Sequence, residues 1–161
     1  VSPRGACHRR AWPPQVEVLG DVPPYKAEGK GRIIKDLFNE KTIIHSLVAC
    51  DFPNFAVPIS LEEYSEYLYL ITGVRYSQEE FEEIAERIET CIRQFNTREG
   101  LTTADDYLPK RVLEEPLKGG PADGQKITTE GFQKMLHDYY QERGWDSNGI
   151  PKEETLAKYG I

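Results

Sequence analysis

Apolar side chains recur three or four residues apart through most of the chain, which is the periodicity of amphipathic helices. The first such stripe predicts a helix over residues 28–49, with apolar positions Ile33, Ile34, Leu37, Phe38, Ile44, Leu47 and Val48. A later stripe predicts a helix that ends before Gly144, with Phe132, Met135, Leu136, Tyr139 and Tyr140 on one face. A short last helix is predicted over residues 152–159.

Two helices in the middle of the chain have complete start signals. Ser60 with Glu63, and Ser77 with Glu80, each fit a capping box, and Gly73 is placed to end the first of these helices. One face of the second helix is apolar, with Phe81, Ile84, Ile88, Cys91, Ile92 and Phe95. We therefore expect this face, Cys91 included, to be core. The glutamates on its other side are expected to be solvated: Glu79, Glu82, Glu83, Glu86 and Glu89.

Proline- and glycine-rich segments separate these elements. Two Pro-Pro pairs predict an extended entry segment over residues 1–27, followed by the main helices over 28–100, a loop or linker over 101–126 and the C-terminal helices over 127–161. The adjacent acids Asp105 and Asp106 are expected to cap a turn, because two neighbouring carboxylates alone do not make a hard-metal site. The 161 residues are enough for a single helical domain, 1–161, of about five helices in an irregular bundle.

Charge and cysteine content narrow the classes of function. The net charge is −7 and the pI is about 5.1, so the chain has no broad basic face for nucleic acid. No apolar run could span a bilayer, and the first residues lack a signal-peptide core. Three scattered cysteines fit a reducing compartment better than a disulfide framework. We therefore expect a cytoplasmic protein without membrane or nucleic-acid partners.

Cys50 and His8 are the candidates for chemistry. Cys50 follows an apolar helical run and precedes Pro53, so its thiol is expected at a helix end, where it could coordinate a metal or could simply be a small buried residue. His8 lies in a basic, glycine-containing segment and could move protons near neutral pH, or could be an ordinary surface histidine. A zinc site formed by Cys7, His8, His45 and Cys50 is a further alternative, although the spacing matches no short metal motif.

Residues 95–117 contain Phe-Asn-x-Arg-Glu-Gly, then Asp-Asp, Leu-Pro-x-Arg and Glu-Glu-Pro-Leu at fixed spacing. This long pattern resembles the C-terminal portion of tungsten-containing aldehyde ferredoxin oxidoreductases, which have the same motifs in the same order. Residues 4–8, Arg-Gly-Ala-Cys-His, and residues 144–151, Gly-Trp-Asp-Ser-Asn-Gly-Ile-Pro, resemble two further family segments. Residues 45–50 resemble the family's Asp-x-x-Gly-Leu-Cys, with His45 in place of Asp, Val48 in place of Gly and Ala49 in place of Leu.

The resemblance implies the C-terminal domain of a larger oxidoreductase, which converts an aldehyde and water to a carboxylic acid at a tungsten (or molybdenum) bis-pterin centre, a molybdopterin-type cofactor. It also implies electron transfer through a [4Fe-4S] cluster to ferredoxin. By resemblance Cys50 is the iron–sulfur metal ligand and His8 is the catalytic residue that assists proton movement. The implied pterin-binding residues are His45, Ser46, Leu47, Val48 and Ala49.

The chain has no CxxC motif, so three further cluster thiolates must come from polypeptide outside it, and we expect the chain alone to be inactive. Expected partners are the remainder of the enzyme chain and ferredoxin, with a homo-oligomer left open. Two alternatives also stay open. One is a non-catalytic helical interaction or structural module, which the departures at His45 and Val48 favour. The other is a family branch that reduces carboxylates or aryl thioesters. The substrate and the choice of metal are undetermined.

Overall fold

The computed structural model describes residues 2–3, 5, 7, 9–20, 22–55 and 57–161. Within these ranges the fold is all-α, which confirms the predicted class. The α-helices are α1 Pro13–Val18, α2 Lys30–Ser46, α3 Leu61–Thr72, α4 Gln78–Arg98, α5 Lys110–Glu114, α6 Thr129–Glu142 and α7 Glu153–Tyr159. Short 3₁₀ turns lie at Phe52–Phe55 and Thr103–Asp106. No helix in the described part of the chain has the length and hydropathy needed to cross a membrane.

The central element is α2, which packs against α6 and against α4. Gly31 allows the close approach of α2 to α6, because a Cβ at this position would lie 2.5 Å from the backbone nitrogen of Tyr139. One small apolar cluster lies on the α6 side and contains Leu136, Tyr139, Tyr140 and Trp145. A second lies between α2 and α4 and contains Ile43, Phe81 and Ala85.

Both predicted capping boxes are present. The Ser60 hydroxyl accepts a hydrogen bond from the Glu63 amide at 3.2 Å, and the Glu63 carboxylate accepts one from the Ser60 amide at 2.8 Å. Ser77 and Glu80 repeat this arrangement at the start of α4. Gly73 ends α3 in the left-handed conformation, with φ of 78°. These local signals set both ends of α3 and the start of α4 where the sequence predicted them.

The inward face of α4 differs from the predicted one. Its buried residues are Phe81, Ala85, Glu86, Glu89, Thr90 and Arg93. Glu86 is only 8% exposed and Glu89 only 3%, so the prediction that these two glutamates are solvated was wrong, whereas Glu79, Glu82 and Glu83 are exposed as expected. Cys91 and Phe95, predicted as core, are exposed. The helix is rotated so that a partly charged face meets α2 and α6.

The reason for this rotation is a buried polar network at the junction of α2, α4 and α6. The Glu86 carboxylate accepts a hydrogen bond from Arg143 Nη1 at 3.0 Å and one from Asn39 Nδ2 at 3.1 Å, and lies 2.9 Å from Lys35 Nζ. The Arg143 side chain is fully buried. Burial alone would raise the pKa of Glu86, but the Arg143 charge and the bonds from Lys35 and Asn39 hold that pKa below its ordinary value.

A second buried ion pair joins α4 to the 3₁₀ turn Thr103–Asp106. The sequence predicted only a capping role for the two acids of this turn. Asp105 does cap that turn, since its carboxylate accepts a hydrogen bond from the Thr102 amide at 2.8 Å. Asp106 is instead buried and receives Arg93 Nη1 at 3.1 Å, Arg93 Nη2 at 2.6 Å and the Tyr140 hydroxyl. Burial opposes ionisation, but these donors keep the pKa of Asp106 below its usual value.

Two segments predicted to lack helices contain short ones. The Pro-rich entry segment includes α1, because Pro13 and Pro14 occupy the first helical positions, where a missing N–H costs nothing. Lys30 at the start of α2 pairs with Glu17 of α1, which holds this helix against the bundle. The predicted loop or linker over 101–126 includes α5. The proposed boundaries between the four segments remain predictions.

Candidate functional site

The C-terminal end of α2 directs the chain toward Cys50. The Ala49 amide donates to the Ile44 carbonyl at 3.1 Å, and the Val48 amide donates to the His45 carbonyl at 3.0 Å. This pair of hydrogen bonds is the Schellman motif, which ends a helix when the residue after its C-cap turns left-handed. It ends α2 at Ser46, three residues before the predicted end at Ala49.

Val48 is the residue that makes this turn. Its φ is 56°, in the left-handed region that a β-branched side chain rarely adopts, and the resembling family motif has glycine at this position. Its side chain is 92% exposed, so no burial compensates for the unfavourable backbone. The turn that leads to Cys50 is therefore retained although the residue best suited to it is absent.

The other predicted pterin-binding residues surround this helix end. His45 and Ala49 are half-buried, and the Ser46 hydroxyl donates to the Thr42 carbonyl at 2.7 Å. Leu47 packs against the apolar cluster that contains Ile43. Cys50 is exposed. Ser46, Val48 and Cys50 are thus the exposed residues of this stretch, available to a group outside the chain.

Asp51 was missed in the sequence, although it directly follows Cys50. Its carboxylate accepts a hydrogen bond from Arg9 Nη2, and its other oxygen lies 3.9 Å from His45 Nε2. The Asp51 side chain is only 12% exposed and that of Arg9 is 25% exposed. The sequence did contain a signal for this pair. Arg9 directly follows His8 and Asp51 directly follows Cys50, so oppositely charged residues stand next to the two candidate functional residues.

His8, the predicted catalytic residue, lies outside the described residues. The described residue Arg9 contacts Asp51, and its guanidinium lies 5.7 Å from the centre of the Phe52 ring. The Nε–H of Arg10 is buried and finds no hydrogen-bond acceptor among the described residues. The described part of the entry segment therefore contacts residues 47–52, the Cys50 loop, and has one buried donor without an acceptor among the described residues.

The donor atoms at this site fit one ligand of a larger centre. Among the described residues, no three His, Cys, Asp or Glu side chains form a group that could hold a metal ion. Cys50 offers a single accessible sulfur, which suits a cluster whose other thiolates lie outside the described residues. Residues 45–49 contain no carboxylate, and the amides of Val48 and Ala49 are used at the helix end. Residues 45–49 would therefore contact a pterin through the outward surface of the turn.

Comparison with known proteins places this site in a family. The family model described as "Aldehyde ferredoxin oxidoreductase, domains 2 & 3" matches residues 1–161. The tungsten-containing aldehyde ferredoxin oxidoreductase of Pyrococcus furiosus is 36% identical over 166 residues, a match that covers 98% of this chain and 26% of that protein. The enzyme of the same name from Pyrococcus abyssi is 34% identical with the same coverage. The chain thus spans about a quarter of the length of these curated relatives.

A solved structure shares the fold. The active-site complex BamBC of benzoyl coenzyme A reductase, solved with 1,5-dienoyl-CoA, aligns with a TM-score of 0.67 over 88% of this chain and 20% of that chain. Its sequence identity is 22%, so this likeness concerns the fold alone. The family match over the full length and the identity to the curated enzymes agree with the motifs around Cys50 and at residues 95–117. The chain belongs to the aldehyde ferredoxin oxidoreductase family, within the part that corresponds to its domains 2 and 3.

Proposed function

We propose that this chain is the C-terminal part of an enzyme that oxidises an aldehyde to a carboxylic acid, with water supplying the oxygen atom and with release of two electrons and two protons. The observation that carries the proposal is the exposed Cys50 thiol on the turn after α2, in a chain of this family. A thiol that served only as core would be buried, whereas a ligand to an external cluster must be accessible.

Each residue of the site has one task in this proposal. Cys50 supplies one thiolate to a [4Fe-4S] cluster, and residues 45–49 present the surface of the helix end to a pterin. His8 accepts a proton released by the oxidation, which an imidazole can do near neutral pH. When bound, a tungsten bis-pterin centre would supply the two-electron oxidation and the cluster would pass the electrons singly to ferredoxin.

The remainder of the enzyme is the first partner in this proposal. One face of α3 is apolar and exposed, with Tyr67, Leu70 and Ile71 at helical spacing, and the exposed Val74 follows just after the helix. An exposed apolar stripe of this kind is typical of a surface that another polypeptide covers. Since the chain spans about a quarter of its curated relatives, a further part of the same enzyme is the simplest cover for this face.

Two alternatives make different predictions. A non-catalytic helical module would use the fold without a cluster, and the departures at His45 and Val48 favour it. A family branch that reduces carboxylates would keep the cluster and run the same reaction in reverse, with a strong electron donor. A branch that reduces aryl thioesters would keep the cluster but act on the thioester in place of an aldehyde. The fold shared with the benzoyl coenzyme A reductase complex makes the aryl thioester branch worth assaying.

The test is a cysteine substitution in the complete enzyme. We expect stoichiometric iron and tungsten in the wild type, and we expect Cys50→Ala to abolish electron delivery to ferredoxin, because loss of one thiolate exposes an iron site. Cys91→Ala is the matched control, since Cys91 is also exposed but lies on α4. An unchanged cluster EPR signal with full ferredoxin reduction in Cys50→Ala would refute the ligand assignment. A wild type without metal would favour the non-catalytic module.

A further inference from the structure

An ion pair connects the two sequence segments that contain the proposed functional residues. Arg9 directly follows His8, and Asp51 directly follows Cys50. Although 42 residues separate them, Arg9 Nη2 donates to Asp51 Oδ1. The Asp51 side chain is mostly buried, at 12% exposed, so its charge is shielded from water and acts strongly on its neighbours.

The pair is reinforced on both sides. The Arg9 guanidinium lies 5.7 Å from the centre of the Phe52 ring, close enough for a cation–π contact. The second oxygen of Asp51 lies 3.9 Å from His45 Nε2, in the last turn of α2. Arg9 therefore contacts two consecutive residues of the Cys50 loop, and Asp51 connects that loop to α2.

We propose that Arg9 and Asp51 are positioning residues: their ion pair holds the entry segment against the Cys50 loop and balances a negative charge beside the cluster ligand. This inference rests on the proposed function. The reduction potential of an iron–sulfur cluster depends on the net charge around it and on solvent exposure. A carboxylate next to the ligand disfavours the added electron, and the paired guanidinium offsets that effect.

The two residues should therefore act on the cluster with opposite signs. In the complete enzyme we expect Asp51→Asn to raise the midpoint potential, because a negative charge is removed. Arg9→Gln should lower it, because the compensating positive charge is removed. The double substitution should return close to the wild-type potential. The measurement is a potentiometric titration followed by EPR. The exposed Arg75–Glu66 pair provides the control, and its substitutions to Gln should leave the potential unchanged.

Hydrogen exchange measures the positioning role in the 161-residue chain itself. We expect Asp51→Asn to speed amide exchange in residues 9–12 as well as in residues 47–52, and we expect Arg9→Gln to do the same. A charge-swapped chain, Arg9→Asp with Asp51→Arg, should recover protection in both segments. If each substitution affects only its own segment, the proposed link between the segments is wrong.

The outcomes separate this inference from the proposed function. Shifts of the potential in the same direction, or no shift in an enzyme that holds its cluster, would overturn the charge-balancing role. A wild-type enzyme without a cluster would refute the proposed function instead, and hydrogen exchange would still decide whether the pair joins the two segments.

Discussion

Glu86→Ala is expected to destabilise the chain strongly, although Glu86 lies among exposed glutamates in the sequence. Its carboxylate receives Arg143, Asn39 and Lys35 within 3.1 Å. Removal of the carboxylate leaves the fully buried Arg143 guanidinium without its anion. Breaking a buried ion pair in this way costs about 3–5 kcal/mol in the free energy of unfolding. For a chain of this size that corresponds to a fall in Tm of roughly 6–20 °C.

The matched control is Glu83→Ala, because Glu83 lies on the exposed side of the same helix. We expect this change to stay within about 0.5 kcal/mol of the wild type. A third variant, Glu86→Leu with Arg143→Met, replaces both charges with apolar groups and should be less harmful than Glu86→Ala, because the fully buried Arg143 charge is removed together with its partner. Lys35 and Asn39 still lose the carboxylate, so a smaller destabilisation remains. The assay is urea unfolding followed by circular dichroism. Equal effects of Glu86→Ala and Glu83→Ala would refute the buried network.

The same carboxylate should make stability depend on pH. The pKa of folded Glu86 is lowered, so the folded state binds its proton more weakly than the unfolded state does. Its contribution is complete above the unfolded pKa of about 4.3 and is lost as the pH falls through the lower folded pKa. Asp106 acts in the same direction. Below about pH 4.3 the wild type should therefore lose stability more steeply than Glu86→Gln.

Two further predictions concern the candidate site. Val48→Gly should stabilise the chain by roughly 0.5–1.5 kcal/mol, because the relief of a left-handed β-branched residue outweighs the greater backbone entropy of unfolded glycine; a lower urea midpoint than the wild type would contradict this. In the complete enzyme, His8→Asn should lower kcat by roughly 10²–10⁴-fold with metal content unchanged and should flatten the rate profile between about pH 5.5 and 7.5. The exposed His137 on α6 provides the control substitution, and wild-type turnover in His8→Asn would remove His8 from the reaction.

Short-range signals in the sequence predicted both ends of α3 and the start of α4. The capping boxes at Ser60 and Ser77 were correct because both partners of each lie within four consecutive residues. The stripe of α6 was also correct, with Leu136, Tyr139 and Tyr140 buried. In these cases local chemistry and apolar periodicity point to the same answer.

The inward face of α4 could not be predicted in this way. Apolar periodicity selected the side with Cys91, whereas the structure buries Glu86 and Glu89. The partner of Glu86 is Arg143, 57 residues later, and a charge is stable in the interior only when such a partner is present. A sequence pattern that assigns charged residues to the surface is therefore wrong where those residues form buried ion pairs with helices far away in the sequence.

The two departures from the family motif affect the candidate site differently. At position 48 the departure affects only the backbone conformation. Val48 adopts the left-handed turn that glycine would adopt at lower cost in free energy, so the turn before Cys50 does not require glycine. At position 45 the departure changes the charge of the side chain, because a histidine stands where the family motif has an aspartate. The structure places the carboxylate of Asp51, which is paired with Arg9, 3.9 Å from His45 Nε2. The charge of the helix end is therefore set by an ion pair that reaches the entry segment, which is why substitutions at Arg9 and Asp51 test the site more directly than substitutions at His45.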